Sequence, residues 1–126
     1  MQITCMTIDG ADVAKLAEFW NAALNWGGVA VAPDRSGAIC GPVSGGTYLE
    51  FVRVPDRKVT KNRVHLGCTA GSLADLDDEL DRLRTLGATI AWEEQFLPEI
   101  GARYRNVVLR DPEGNEFCLG GGTLPD

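Results

Sequence analysis

The sequence predicts an α+β chain made of one unit repeated about 60 residues apart. Three observations predict it. Short β-type runs at Ile3–Ile8 (ITCMTI) and Arg63–Thr69 (RVHLGCT) are each followed by an amphipathic stretch at helical period. Those stretches run from Asp12 to Asn25 and from Ser72 to Leu86. Gly-punctuated, strand-like segments follow each helix, the first copy closing in Tyr48–Val52 (YLEFV) and the second in Asn115–Leu119 (NEFCL). The order is therefore β-α-β-β-β, twice.

Each element has a local cause. In the first helix Val13, Leu16, Ala17, Trp20, Ala23 and Leu24 form a continuous apolar stripe, with Lys15, Glu18 and Asn21 off it. Asp12 is placed to cap its start, and Gly27-Gly28 to stop it. Leu73, Leu76, Leu80 and Leu83 form the stripe of the second helix. Ser72 followed by Asp75 resembles a capping box. Acidic Asp75, Asp77 and Asp78 sit at its positive end, Arg82 and Arg84 at its negative end, and Gly87 just beyond. Strands are expected near residues 28–32, 37–41, 47–54, 88–93, 104–109 and 116–120. Turn signals at Pro33-Asp34, Ser44-Gly45-Gly46 and Asp111–Asn115 (DPEGN) separate them. Pro55–Asn62 is polar and reads as the connector. Phe96–Ala102 reads as a longer loop carrying apolar Phe96, Leu97 and Ile100.

Composition bounds the function. A chain of 126 residues, 44% hydrophobic and 24% charged, suits one ordinary globular domain. Its net charge of −6 argues against nucleic acid or an anionic membrane as partner. No apolar run approaches the roughly 20 residues of a membrane span, and no signal-peptide pattern opens the chain. Cys5, Cys40, Cys68 and Cys118 form no C-x-x-C pair, and a cytoplasmic location with reduced thiols is expected.

Strand alternation then divides the sheet residues. One set, Met6, Ile8, Leu49, Phe51, Val64, Leu66, Phe117 and Leu119, is apolar and suits a helix-covered face. The other, Cys5, Thr7, Tyr48, Glu50, His65, Gly67, Glu116 and Cys118, is mixed and suits a ligand cavity.

In this order of elements the chain resembles members of the vicinal oxygen chelate superfamily, which contains glyoxalase I, bleomycin-resistance proteins and extradiol dioxygenases. The resemblance rests on Ala17-Glu18-Phe19-Trp20, Leu24-Asn25-Trp26-Gly27, Lys61–Leu66 (KNRVHL) and Asp111–Phe117 (DPEGNEF). It implies a single domain over residues 1–126, with modules 1–54 and 63–121 curving into a half-barrel and helices on the convex face. In the metal-dependent enzymes of the superfamily four side chains, typically His or Glu, meet at one metal. The matching positions here are Cys5, Glu50, His65 and Cys118. Two of the four are cysteine, whereas octahedral Ni, Mn or Fe sites prefer imidazole and carboxylate. No metal and no other cofactor are therefore expected, although zinc accepts S, N and O ligands together.

The expected site residues follow. His65, the single histidine, and Glu50 form the candidate acid–base pair, against the alternative of a structural histidine and an exposed carboxylate. Cys5, Tyr48, Glu50, His65, Trp92, Tyr104 and Cys118 are the candidate ligand-binding residues. Cys5 and Cys118 could equally be small buried fillers, and the aromatics core. Lys61-Asn62-Arg63 could hold an anion or fix the approach to the next strand. Asp111–Asn115 is a turn without a catalytic role. Three function classes remain, in this order: a cavity protein without the usual metal that binds a small molecule or performs acid–base chemistry, a metal-dependent lyase, isomerase or oxygenase, and a non-catalytic dimer. A homodimer is expected, because sheet edges and the Phe96–Ile100 segment need covering.

Overall fold

The structure is a computed structural model and describes residues 1–95 and 103–123, with Gln95 described by its backbone. It divides into two compact units, Met1–Val59 and Thr60–Asp126.

In the first unit the elements are β1 (Cys5–Gly10), α1 (Val13–Leu24), β2 (Gly27–Val31), β3 (Gly37–Pro42) and β4 (Tyr48–Arg53). They form one mixed four-stranded sheet in the order β1-β4-β3-β2, with β1 parallel to β4 and the other pairs antiparallel. The second unit repeats this with β5 (Leu66–Gly71), α2 (Leu73–Leu86), β6 (Thr89–Gln95), β7 (Arg103–Arg110) and β8 (Glu116–Thr123), in the order β5-β8-β7-β6. Again the first and last strands run parallel and the rest antiparallel. Both units are thus βαβββ, and the fold class is α+β as expected.

The helices end where side-chain chemistry says they should. Asp12 accepts from the Lys15 backbone N–H, and Asn25 closes α1 in the left-handed conformation. Ser72 accepts from the Asp75 N–H, and Gly87, at φ 116°, closes α2. Asn21, although off the stripe, ties α1 to the start of β2, because its side chain accepts from the Gly28 N–H.

Each helix covers one sheet face. In the first unit Val13, Leu16, Ala17 and Trp20 pack with Ala38, Cys40, Leu49 and Phe51, all buried. Phe19 is buried too, edge-on to Trp20 with ring centroids 5.5 Å apart. In the second unit Leu76, Leu80 and Leu83 join Val107, Leu109, Phe117 and Leu119. Trp26, expected in the core, is only half-buried, as is Leu66.

Two strand positions differ from expectation. β1 begins at Cys5, so Ile3 is exposed. β5 begins at Leu66, three residues later than expected. Its ladder with β8 opens at Leu66↔Phe117, and before that the chain is held by a side chain instead: the Asn62 N–H donates to Oε2 of Glu116 at 2.9 Å. Val64, assigned by parity to the covered face, is consequently 83% exposed.

The DPEGN segment is a turn, held by its own aspartate. The buried Asp111 carboxylate accepts from the N–H groups of Glu113 and Asn115 and from the Asn115 amide. All four cysteines are free thiols. Among the described residues no helix is long and apolar enough to cross a membrane. The expected apolar loop residues Phe96, Leu97 and Ile100 lie outside the described residues.

Candidate functional site

Each sheet has a second face, turned away from its helix, and all the expected site residues but His65 fall on these faces. All seven of them, Cys5, Tyr48, Glu50, His65, Trp92, Tyr104 and Cys118, are half-buried, neither in the core nor fully in solvent.

In the first unit register brings Cys5 opposite Tyr48 and Thr7 opposite Glu50. Opposed residues share a face, so these four side chains line one strip beside Ile39, the partner of Glu50 on β3. The Thr7 hydroxyl donates to Oε2 of Glu50 at 2.9 Å, which orients the carboxylate. A hydrogen bond to Cys5, the charge its thiol can carry, burial and the Glu50 charge together hold the Tyr48 phenol above its ordinary pKa. Tyr48 is therefore a hydrogen-bonding group and not an anion near neutral pH. It also borders a shallow groove of about 380 Å³, lined among others by Gly28, Ile39, Gly41 and Val43.

In the second unit Cys118 lies opposite Gly67 and Val108, and Trp92 opposite Val108 on the other side. Glu94 is opposite Asn106, which is opposite Gly120. The Trp92 indole N–H donates to Oε1 of Glu94 at 3.3 Å, and the Asn106 amide donates to Oε2 at 3.0 Å. Tyr104 lies over Gly120, where a Cβ would overlap its hydroxyl. His65 precedes β5 and carries no ladder position. The Lys61 ammonium stands 5.9 Å from the centre of the Trp92 ring. Asn62 fixes the approach to β5, which is the structural role the sequence allowed it.

Thr7, Glu94 and Asn106 were not among the expected site residues. The signal for the last two was available: Glu94 follows Trp92 by two and Asn106 follows Tyr104 by two, so strand period places each pair on one face. The expected strand stopped at residue 93 and so left Glu94 out.

The thiols divide by the sheet face they occupy, Cys40 and Cys68 on the helix-covered side. Cys40 is fully buried and its pKa is pushed up to about 11 by desolvation. Burial, with a smaller effect from Cys118, raises Cys68 as well. Both are packing residues. Cys5 and Cys118 lie on the helix-free faces. Within either unit, among the described residues, no three His, Cys, Asp or Glu side chains cluster as a metal site would require.

A family model for the glyoxalase-like domain matches residues 5–120. The chain belongs to the glyoxalase-like domain family. Solved structures agree with the fold of this glyoxalase-like chain. It is similar to a glyoxalase/bleomycin resistance protein/dioxygenase family enzyme from Burkholderia phytofirmans, with a TM-score of 0.76, 13% identity, and coverage of 98% of this chain and 100% of that one. It is also similar to a mutant of the fosfomycin resistance protein FosX from Listeria monocytogenes, solved with Mn(II) and 1S,2S-dihydroxypropylphosphonic acid. There the TM-score is 0.75 at 16% identity, with 98% and 91% of the two chains covered. The oxidase ChaP-H2 matches with a TM-score of 0.66 at 16% identity, over 100% of this chain and 97% of that one. At these identities the likeness is one of fold. A comparison with curated protein sequences finds no match.

Proposed function

We propose that this glyoxalase-like protein binds a small organic molecule on the helix-free faces of its sheets, either to sequester it or to transform it by side-chain acid–base chemistry. One observation supports this above the others: among the described residues each sheet is covered by a helix on one face, and its other face carries half-buried polar and aromatic side chains engaged in hydrogen bonds. In this reading Cys5, Tyr48 and Glu50 in the first unit and His65, Trp92, Tyr104 and Cys118 in the second are the ligand-binding residues. Glu50 and His65 are the residues that would supply acid–base chemistry. The Thr7 bond sets which carboxylate oxygen of Glu50 is left to accept a proton.

The Mn(II) found in the Listeria protein does not transfer readily. The four positions that match the superfamily's metal ligands offer two thiols, one imidazole and one carboxylate, a set suited to zinc and not to an octahedral manganese or nickel ion. The acid–base chemistry proposed for this protein rests on its side chains alone. We also propose a homodimer in the cytoplasm. The edge strand β2 leaves Val29 and Val31 exposed, an apolar edge that a second copy could cover.

The test is a thermal-shift and fluorescence screen of small organic molecules against the native protein, Glu50→Gln and His65→Ala. Molecules that bind the native protein should lose at least about tenfold in affinity with either variant, the equivalent of about 1.4 kcal/mol. Ligands indifferent to both substitutions would overturn the reading. Calorimetric binding of one equivalent of Mn or Ni would promote the metal-dependent class. One equivalent of Zn would point to the thiol-containing site. Light scattering at a mass near 13.6 kDa across micromolar concentrations would rule out the dimer.

A further inference from the structure

Glu94 and Trp92 stand two residues apart on β6 and project from the same face. The Glu94 carboxylate accepts only from neutral donors among the described residues, the Asn106 amide at 3.0 Å on Oε2 and, more loosely, the Trp92 indole N–H at 3.3 Å on Oε1. Asn106 is itself buried, which holds the shorter of these two bonds in place. Among the described residues no lysine, arginine or histidine pairs with the carboxylate. Neutral donors orient a carboxylate without cancelling its charge, and each oxygen keeps a lone pair free. Contrast Glu93, the next residue back along the strand on the opposite face, which is neutralised by the Arg105 guanidinium. The sequence thus places two adjacent glutamates on β6, one spent on an ion pair and one held oriented with its charge unspent.

The indole beside Glu94 has its own preference. The face of a tryptophan ring attracts cations, and the chain's own Lys61 ammonium already stands over it at 5.9 Å. Lys61 is exposed and donates to the neighbouring Asn62 carbonyl at 3.3 Å, a long bond that water can replace, so it can swing away at small cost. An oriented anion next to an aromatic face that already holds a cation matches the chemistry of a positively charged group on a flat apolar body.

We propose that Trp92, Glu94 and Asn106 select an organic cation, a ligand carrying a protonated amine or guanidinium on an aromatic or otherwise flat frame. The charged nitrogen pairs with Glu94, the frame lies on the Trp92 indole, and Lys61 gives up the ring. The inference rests on the small-molecule reading above and names the class of molecule for it.

The experiment uses three probes of one shape and different charge: benzylammonium, benzyl alcohol and benzoate. Binding is followed on the Trp92 indole N–H resonance, assigned with Trp92→Phe, with the indoles of Trp20 and Trp26 as internal references. Benzylammonium is expected to shift the Trp92 signal and to bind about tenfold or more tightly than benzyl alcohol, a preference of about 1.4 kcal/mol. Glu94→Gln should abolish that preference and leave benzyl alcohol unchanged. Lys61→Ala should do the opposite and strengthen benzylammonium, because the competing ammonium is gone. Lys61 is exposed, so this variant tests the idea even if Glu94→Gln fails to fold. Equal binding of the three probes, a preference for benzoate, or weaker benzylammonium binding by Lys61→Ala would overturn the proposal. If none of the three shifts Trp92 while other molecules bind in a Glu50- and His65-dependent way, the cation inference alone falls. If no organic molecule binds at all, the small-molecule reading falls with it.

Discussion

The Thr7 hydroxyl donates to the Glu50 carboxylate at 2.9 Å, between register partners on the parallel strands β1 and β4. The bond joins the first and last strands of the module on the face that carries no helix. It uses one oxygen of Glu50 and leaves the other free. Thr7→Val keeps the shape and the β-branching but removes the donor. Because Thr7 is exposed, stability should change by about 1 kcal/mol or less. Ligand affinity or turnover should fall with it, and more so than stability. An unchanged affinity would mean that the orientation of Glu50 does not matter to the site.

Neighbours on β4 should respond in opposite ways. Leu49 is fully buried against α1, while Glu50 is half-buried on the other face. Leu49→Ala should cost roughly 2–5 kcal/mol in denaturant unfolding. Glu50→Gln and His65→Ala should each stay within about 1 kcal/mol. If either cavity variant unfolds as readily as Leu49→Ala, those side chains are structural and the acid–base reading is lost.

Cys40 makes stability depend on pH at the alkaline end. Its folded pKa, about 11, lies above the ordinary value of 9.0 because burial disfavours the thiolate. The sign for an acid whose neutral form is favoured by folding is that the unfolded chain ionises first, so stability falls as pH rises from about 9 towards 11. A separation of two pKa units corresponds to about 2–3 kcal/mol. Unfolding free energies measured from pH 8 to 11 should fall less steeply in Cys40→Ala than in the native protein. Parallel slopes would show that the thiol does not govern this range. A thiol reagent at pH 8 should leave Cys40 unmodified until the protein unfolds.

Asp111 organises its turn. Its buried carboxylate accepts from three donors, so Asp111→Ala should cost about 1–3 kcal/mol by orphaning them. Affinity of the folded variant for any ligand should be unchanged. A loss of affinity without loss of stability would move the DPEGN turn into the site.

Tyr104 depends on the absence of a side chain at Gly120, which its phenol overlies. Gly120→Ala should displace the ring and change binding at the neighbouring Trp92 and Asn106, read by the indole resonance. An unperturbed Trp92 signal would show that the ring is accommodated elsewhere.

The sequence by itself determined what depends on near neighbours. The helix stripe, the caps Asp12, Ser72 and Gly87, and the aspartate turn were all legible because their partners lie within about four residues. The split of β4 into Leu49 and Phe51 on one face and Tyr48 and Glu50 on the other was legible for the same reason, since alternation is a property of one strand. Tertiary structure decided what depends on a distant strand. Thr7 meets Glu50 through a parallel register that no local pattern specifies. β5 starts at Leu66 because β8 offers its first partner there, and Glu116 holds the residues before it, which leaves Val64 in solvent. The bond between Asn106 and Glu94 exists because β6 and β7 pair in one register, past an irregularity between Ile90 and Trp92. A one-residue slip would turn those side chains to the opposite face. Register is fixed by packing and hydrogen bonding over the whole sheet, so a residue's face can be read from its own strand, but its partner cannot.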